Sequence, residues 1–157
     1  MERDFHKWLQ SQTSTPASVL VGIGNDAAVQ TTDPNRLSIV TATDTIAEGT
    51  HFEQKSTPLE LIGRKSLAVN LSDIAAMGAK PESALLTFML PDDLGLKDAQ
   101  TIFHGIEKLA DQHGVSIVGG DTNTWSGPLV IGATVIGSLP TGQAGFCLLY
   151  TSDAADE

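Results

Sequence analysis

TPLELIGRKSLAVNLSDIAAMGAKPESALLTFML, residues 57–90, is the stretch whose reading decides the fold class. Thr57, Pro58 and Glu60 spell a helix start, with Thr57 as N-cap, Pro58 at the first helical position and Glu60 closing a capping box. The helix should run to about Gly78, with Pro81 beyond its end. SALLTFML, residues 83–90, then reads as a strand. One residue resists this description. Asp73 sits inside NLSDIAAMGAKP, residues 70–81, where its neighbours otherwise read as buried helix.

Working outward, VLVGIG (19–24) and LSIVTATD (37–44) are apolar, β-branched runs that end at turn signals, and both read as buried strands. Leu96, Ala99, Ile102, Phe103, Ile106 and Ala110 keep helical spacing up to a stop at Gly114. VSIVGG (115–120) and PLVIGATVIGSL (128–139) complete the strands, while Phe5, Trp8 and Leu9 suggest a short amphipathic helix ahead of a polar Ser/Thr stretch. Strands mixed with two long helices predict an α/β or α+β layered domain, without internal repeats.

The chain has 157 residues, enough for one domain with a real core. Nine basic against 19 acidic side chains give a formal charge of −10, which disfavours nucleic acid and anionic membrane surfaces. No window approaches the roughly 18 to 20 apolar residues of a membrane span, and MERDFHKWLQ lacks the apolar core of a signal peptide. A cytoplasmic protein is expected. The single cysteine, Cys147, excludes a disulfide framework and a cysteine-cluster metal site, so any metal would be held by oxygen. Cys147 also opens CLLYTSDAADE, which resembles the read-through of a sequencing adapter and is set apart from the fold as a non-native tail, residues 147–157.

Four aspartates lie beside small or apolar neighbours: Asp26 after VGIGN, Asp44 at the end of IVTATD, Asp73 in the helix, and Asp121 after SIVGG. Taken singly, an Asp after a strand is a turn former or a helix cap. Together they point to divalent cations, because several carboxylates near one site need shared donors or metal to offset their burial. Mg²⁺ takes oxygen ligands and shares its shell with phosphates, so an acidic site of this kind accommodates a polyphosphate. Asp73 would then face a metal. Two other phosphate devices fail. The GxxxxGK[ST] loop is absent. Gly22, Gly24 and Ala27 fit GxGxxA with Asp44 downstream, but too few residues separate Asn25 from the Asp33-Pro34 turn for a crossover helix.

GIGNDAAV, TATDTIAEGTHF, AVNLSDIAAMGAKP and GVSIVGGDTN, in this order, resemble the amino-terminal half of the thiamine-monophosphate kinase family over about residues 19–144. The long NLSDIAAMGA and GGDT blocks are shared with a wider superfamily that includes aminoimidazole ribonucleotide synthetase and a hydrogenase maturation protein. The resemblance implies a mixed sheet with helices on one face, paired with a second subunit across the sheet. It also implies an ATP/Mg-binding domain over residues 19–146, behind an N-terminal helix and linker at 1–18, with the family's C-terminal domain absent. By the same resemblance Asp26, Thr43, Asp44, Asp73 and Asp121 match metal ligands, Gly120 and Asp121 match nucleotide contacts, and His51 matches a contact to the thiamine phosphate. From its surroundings alone His51 reads as a surface residue.

Departures from the family pattern are visible. Asn25 stands for the first of two aspartates, Ala42 for a serine, and the arginine expected after GQA falls where Cys147 begins. The implied reaction moves the γ-phosphoryl group of ATP onto thiamine monophosphate, with several Mg²⁺ ions as cofactors and a homodimer as the assembly. The alternatives are another ATP-using enzyme of the superfamily and a non-catalytic Mg-nucleotide-binding or dimerisation module.

Overall fold

A computed structural model describes residues 19–21, 27–31 and 37–140. The expected N-terminal helix, most of the VGIGN loop with Asp26, and the tail from Cys147 lie outside the described residues. Within them the order is β1 (Val19–Val21), β2 (Ala28–Thr31), β3 (Leu37–Ala47), α1 (Leu59–Ala76), β4 (Lys80–Pro91), α2 (Leu96–His113), β5 (Ser116–Trp125) and β6 (Val130–Pro140). The strands form one sheet in the order β1-β2-β3-β6-β4-β5. Every pairing is antiparallel except β4 with β5, the pair joined by α2.

Both helices lie on one face, as the layered reading expects. α1 contacts β3, β6 and β4, and α2 contacts β5 and α1. The pleat sends alternate side chains to opposite faces, and burial follows that period: Ser38, Val40, Ala42 and Ile46 of β3 are buried, as are Ile131, Ala133, Val135, Gly137 and Leu139 of β6. The other face is open. It exposes Leu37, Ile39 and Leu85.

The helices cross closely because each brings a glycine to the contact. A Cβ on Gly63 would overlap the Ile102 carbonyl, and one on Gly105 would overlap the Glu60 carbonyl. The result is a tight joint between two core clusters: Leu67, Ile74, Ile106 and Val135 belong to one, Ile46, Ile62, Ile102 and Ile131 to the other. Each fully buried aliphatic side chain contributes about 1.5–3 kcal/mol.

The local readings differ from the structure in places. The capping box does not form: Pro58 itself is the N-cap of α1, at ψ 134°, and the helix has no side-chain cap. With ψ extended at Pro58, the chain turns helical only at Leu59. Pro81 lies beyond the helix end, as expected, and the strand after it begins earlier than Ser83: β4 starts at Lys80 and includes Pro81, where the register with β6 shifts. The sheet also contains a strand that the pattern did not suggest, AVQT at β2. The expected end of α1 near Gly78 and the Gly114 stop of α2 are both present, each glycine at positive φ.

Candidate nucleotide and metal site

β2 pairs with β3 only as far as Ala28 opposite Thr41. Beyond that point the outer edge of β3 has no partner strand among the described residues, and Thr43, Asp44 and Thr45 become exposed in a strand whose earlier even positions are buried. Asp44 keeps the helix-side parity of Ala42 and Ile46. The ladder continues its row through Ala133 and Leu86 to Gly120. Asp44 and Gly120 therefore lie in the same row of the sheet at β3 and β5, and both have small residues beside them.

Thr43 and Asp121 belong to the other parity. Asp121 is opposite Thr87, in the row of Gly132 and Thr45. The Thr43 hydroxyl donates to the Ala133 carbonyl at 3.1 Å and lies 2.9 Å from the Thr134 hydroxyl. Its proton is engaged in the sheet. A carboxylate oxygen of Asp121 accepts from the Asn123 amide at 2.7 Å. By alternation the side chains of Asp44 and Asp121 leave opposite faces, and among the described residues no three acids or histidines gather closely enough to hold a metal ion. Asp73 is half-buried on α1, hence on the helix side with Asp44.

One observation on α1 bears on a metal. Asn70, one turn before Asp73, is 0% exposed; its amide donates to the Ser66 carbonyl at 3.3 Å, and its Oδ1 has no partner. A buried acceptor left unsatisfied is costly. Asn70 Oδ1 and the carboxylates of Asp44 and Asp73 are all oxygens, the type of group that suits Mg²⁺. In chemical type these groups fit such an ion, and no cluster of three acids or histidines forms around one among the described residues.

Gly120 has a structural reason to be glycine. Its φ is 149°, and a Cβ would overlap the Leu86 carbonyl across the parallel β4–β5 pair. Gly120, Thr122 and Thr124 are small residues on the helix side of β5, and they leave space between that strand and α2 unfilled. A cleft of 390 Å³ remains, lined by Phe88, Leu90, Phe103, His104 and Thr122. In the sequence Phe88 reads as part of a strand and Phe103 as part of a helix, and neither is given a role in a site. The signal that could have revealed them was the run of small residues in GGDTNT, which leaves nothing to fill the space opposite. A second, polar cavity of 540 Å³ lies at the end of the sheet between Glu48, Lys55, Asp93 and Ser126.

His51 stands in the turn between β3 and α1. Its Nδ1 accepts the Ala47 N–H at 3.1 Å, which assigns Nε2 as the N–H donor of the neutral ring. The His51 carbonyl accepts from the Lys65 ammonium.

A mixed six-stranded sheet with both helices on one face, and small residues and aspartates along its strands, defines an α/β domain of a recognisable kind. The chain belongs to the AIR synthase related proteins, whose N-terminal domain matches residues 24–139. It is similar to the thiamine-monophosphate kinase of Rhodopirellula baltica, 42% identical over 143 residues, which cover 87% of this chain and 45% of the relative. Among solved structures it is similar to AaThiL complexed with AMPPCP and TMP, with TM-score 0.73 and 25% identity over 88% of this chain and 41% of that one. The thiamine-monophosphate kinase of Stenotrophomonas maltophilia gives TM-score 0.64 at 38% identity, over 88% of this chain and 42% of that one. The chain thus spans about half the length of the relatives it matches.

Proposed function

We propose that the chain is the ATP- and Mg²⁺-binding half of a thiamine-monophosphate kinase, which transfers the γ-phosphoryl group of ATP to thiamine monophosphate. The observation that carries this reading is the 42% identity to such a kinase over 87% of the chain. The geometry adds support. The cleft at Thr122, two residues along β5 from Gly120, has Phe88 and Phe103 on its walls and offers an apolar slot for a nucleobase, and Asp44 shares the Gly120 row of the ladder.

On this reading Asp26, Asp44, Asp73 and Asp121 hold Mg²⁺, with Thr43 contributing beside Asp44, and Gly120 and Asp121 meet the nucleotide. Because Thr43 and Asp44 leave opposite faces, Thr43 would contribute through its backbone carbonyl. Bound Mg²⁺ supplies charge neutralisation between the polyphosphate donor and the anionic acceptor. The acceptor oxygen is already anionic, so the chain needs no strong general base; its task is in-line alignment and charge. His51 Nε2–H orients the acceptor phosphate. The open sheet face, with Leu37, Ile39 and Leu85 exposed, is suited to an isologous pairing of two subunits. Residues 19–146 form the binding domain, with 1–18 as an appendage and 147–157 outside it. No helix of the described residues is long and apolar enough to cross a membrane, and a cytoplasmic enzyme is consistent with that.

Calorimetric titration of this chain with AMPPCP, with and without Mg²⁺, tests the reading. Saturable, Mg²⁺-dependent binding is expected, weakened at least about tenfold by Asp44→Asn, since a ligating carboxylate makes charge-assisted contacts. Binding indifferent to both Mg²⁺ and Asp44 would refute it.

A further inference from the structure

The turn that carries His51 is held from several sides. The Ala47 carbonyl accepts the His51 N–H at 2.9 Å, and the Ala47 N–H donates to His51 Nδ1 at 3.1 Å. Gly49, at φ 79°, supplies the left-handed step inside the turn. The remaining contact comes from α1, where the Lys65 ammonium donates to the His51 carbonyl.

That last contact is chemically uneven. An ammonium carries three donors and a full charge, whereas a carbonyl engages one donor and leaves the charge unneutralised. Lys108, by comparison, pairs with the Glu60 carboxylate at 3.1 Å. In a chain with 19 acidic side chains, Lys65 is set instead on a neutral oxygen. The oxygen belongs to the same residue whose Nδ1 is taken up by the Ala47 N–H, which leaves Nε2–H as the donor of its ring.

We infer that Lys65 and His51 form a two-point cradle for the phosphate of a phosphate monoester. Lys65 supplies the positive charge, and His51 Nε2–H supplies direction. The inference rests on the reading of His51 as a substrate contact, and goes beyond it by assigning the cation.

The test uses the full chain labelled with ¹⁵N-histidine, titrated with thiamine monophosphate and, separately, with unphosphorylated thiamine. The His51 Nε2 signal, assigned with His51→Gln, should move saturably with thiamine monophosphate and stay still with thiamine. Lys65→Met should weaken that response at least about tenfold, the loss expected for a charge-assisted hydrogen bond, while Lys65→Arg keeps the charge and stays within about threefold. Because the Ala47 contacts remain, the unliganded His51 signal should be preserved in Lys65→Met. Affinity of Lys65→Met within about twofold of wild type overturns the assignment of Lys65 and leaves the His51 contact standing. A displaced unliganded signal with affinity restored by neither variant reduces Lys65 to a pin for the turn and overturns the cradle. A wild-type His51 signal unmoved by thiamine monophosphate removes both readings together.

Discussion

Gly119 and Gly120 form an internal control for what Gly120 does. Both have unusual backbone angles, φ 157° and 149°, which disfavour a side chain by a similar amount, about 1–3 kcal/mol. They differ in what a Cβ would meet. At Gly119 it would touch only Leu85 Cδ2 at 3.5 Å, an ordinary contact, whereas at Gly120 it would overlap the Leu86 carbonyl and lie 2.8 Å from the Leu86 nitrogen. The β4–β5 pair must then spread or shift register, an overpacking cost of about 1–3 kcal/mol on top of the shared strain. Gly120→Ala should therefore destabilise by about 2–6 kcal/mol, a large part of the roughly 5–15 kcal/mol that holds a domain together. Gly119→Ala should cost about 1–3 kcal/mol. Urea unfolding of the two variants at constant m reads the difference directly. If Gly120→Ala unfolds at the same urea concentration as Gly119→Ala, the overlap argument is wrong and Gly120 is glycine for its ligand alone.

Asp44→Asn, on an exposed stretch of strand, should leave the urea midpoint within about 0.5 kcal/mol of wild type while Mg²⁺-dependent AMPPCP binding falls. Gly63→Ala and Gly105→Ala should each cost at least about 1–3 kcal/mol in thermal or urea unfolding, and the double variant should cost less than their sum because both push apart the same helix pair. Asn70→Leu removes a buried acceptor without a partner and should raise stability by about 1 kcal/mol in metal-free buffer, with a smaller melting shift on adding Mg²⁺ than wild type shows; an unchanged Mg²⁺ shift would exclude Asn70 from the metal's surroundings. Phe103→Ala, at a half-buried position, should cost about 1–2 kcal/mol of stability and weaken AMPPCP more than it weakens Mg²⁺ alone.

The two helices and most of the sheet were legible because their signals are local. Helical spacing from Leu96 to Ala110 and the glycines at 78 and 114 depend only on neighbours in sequence, and the structure has helices there with left-handed glycines at their ends. β2 was invisible for the opposite reason. Four residues, AVQT, contain no period worth reading, and they are a strand only because β3 offers an edge from Ser38 to Thr41. The same dependence on a partner extends β5 through DTNTW, residues with a turn-like composition that the parallel ladder of β4 holds extended to Trp125. At Thr57 the local signal was present and lost, since Pro58 took the cap position with an extended ψ and left Thr57 outside the helix.

The candidate site shows a sharper limit. Aspartates flanked by small residues suggest oxygen chemistry from residue type alone, but the face each one occupies is a property of register. LSIVTATD and SIVGGD end alike in the sequence, an apolar run closed by an acid. In the sheet Asp44 stands opposite Ala133 and Asp121 opposite Thr87, one row apart, and one row in a pleated sheet is the difference between its two sides. A site that draws on both must be assembled around the free end of β3 or across the β5 edge rather than on a single face. That places weight on Gly120, whose backbone shares the row of Asp44 while its next residue is Asp121: it is the position where a ligand could meet the helix side through main chain and the open side through a carboxylate.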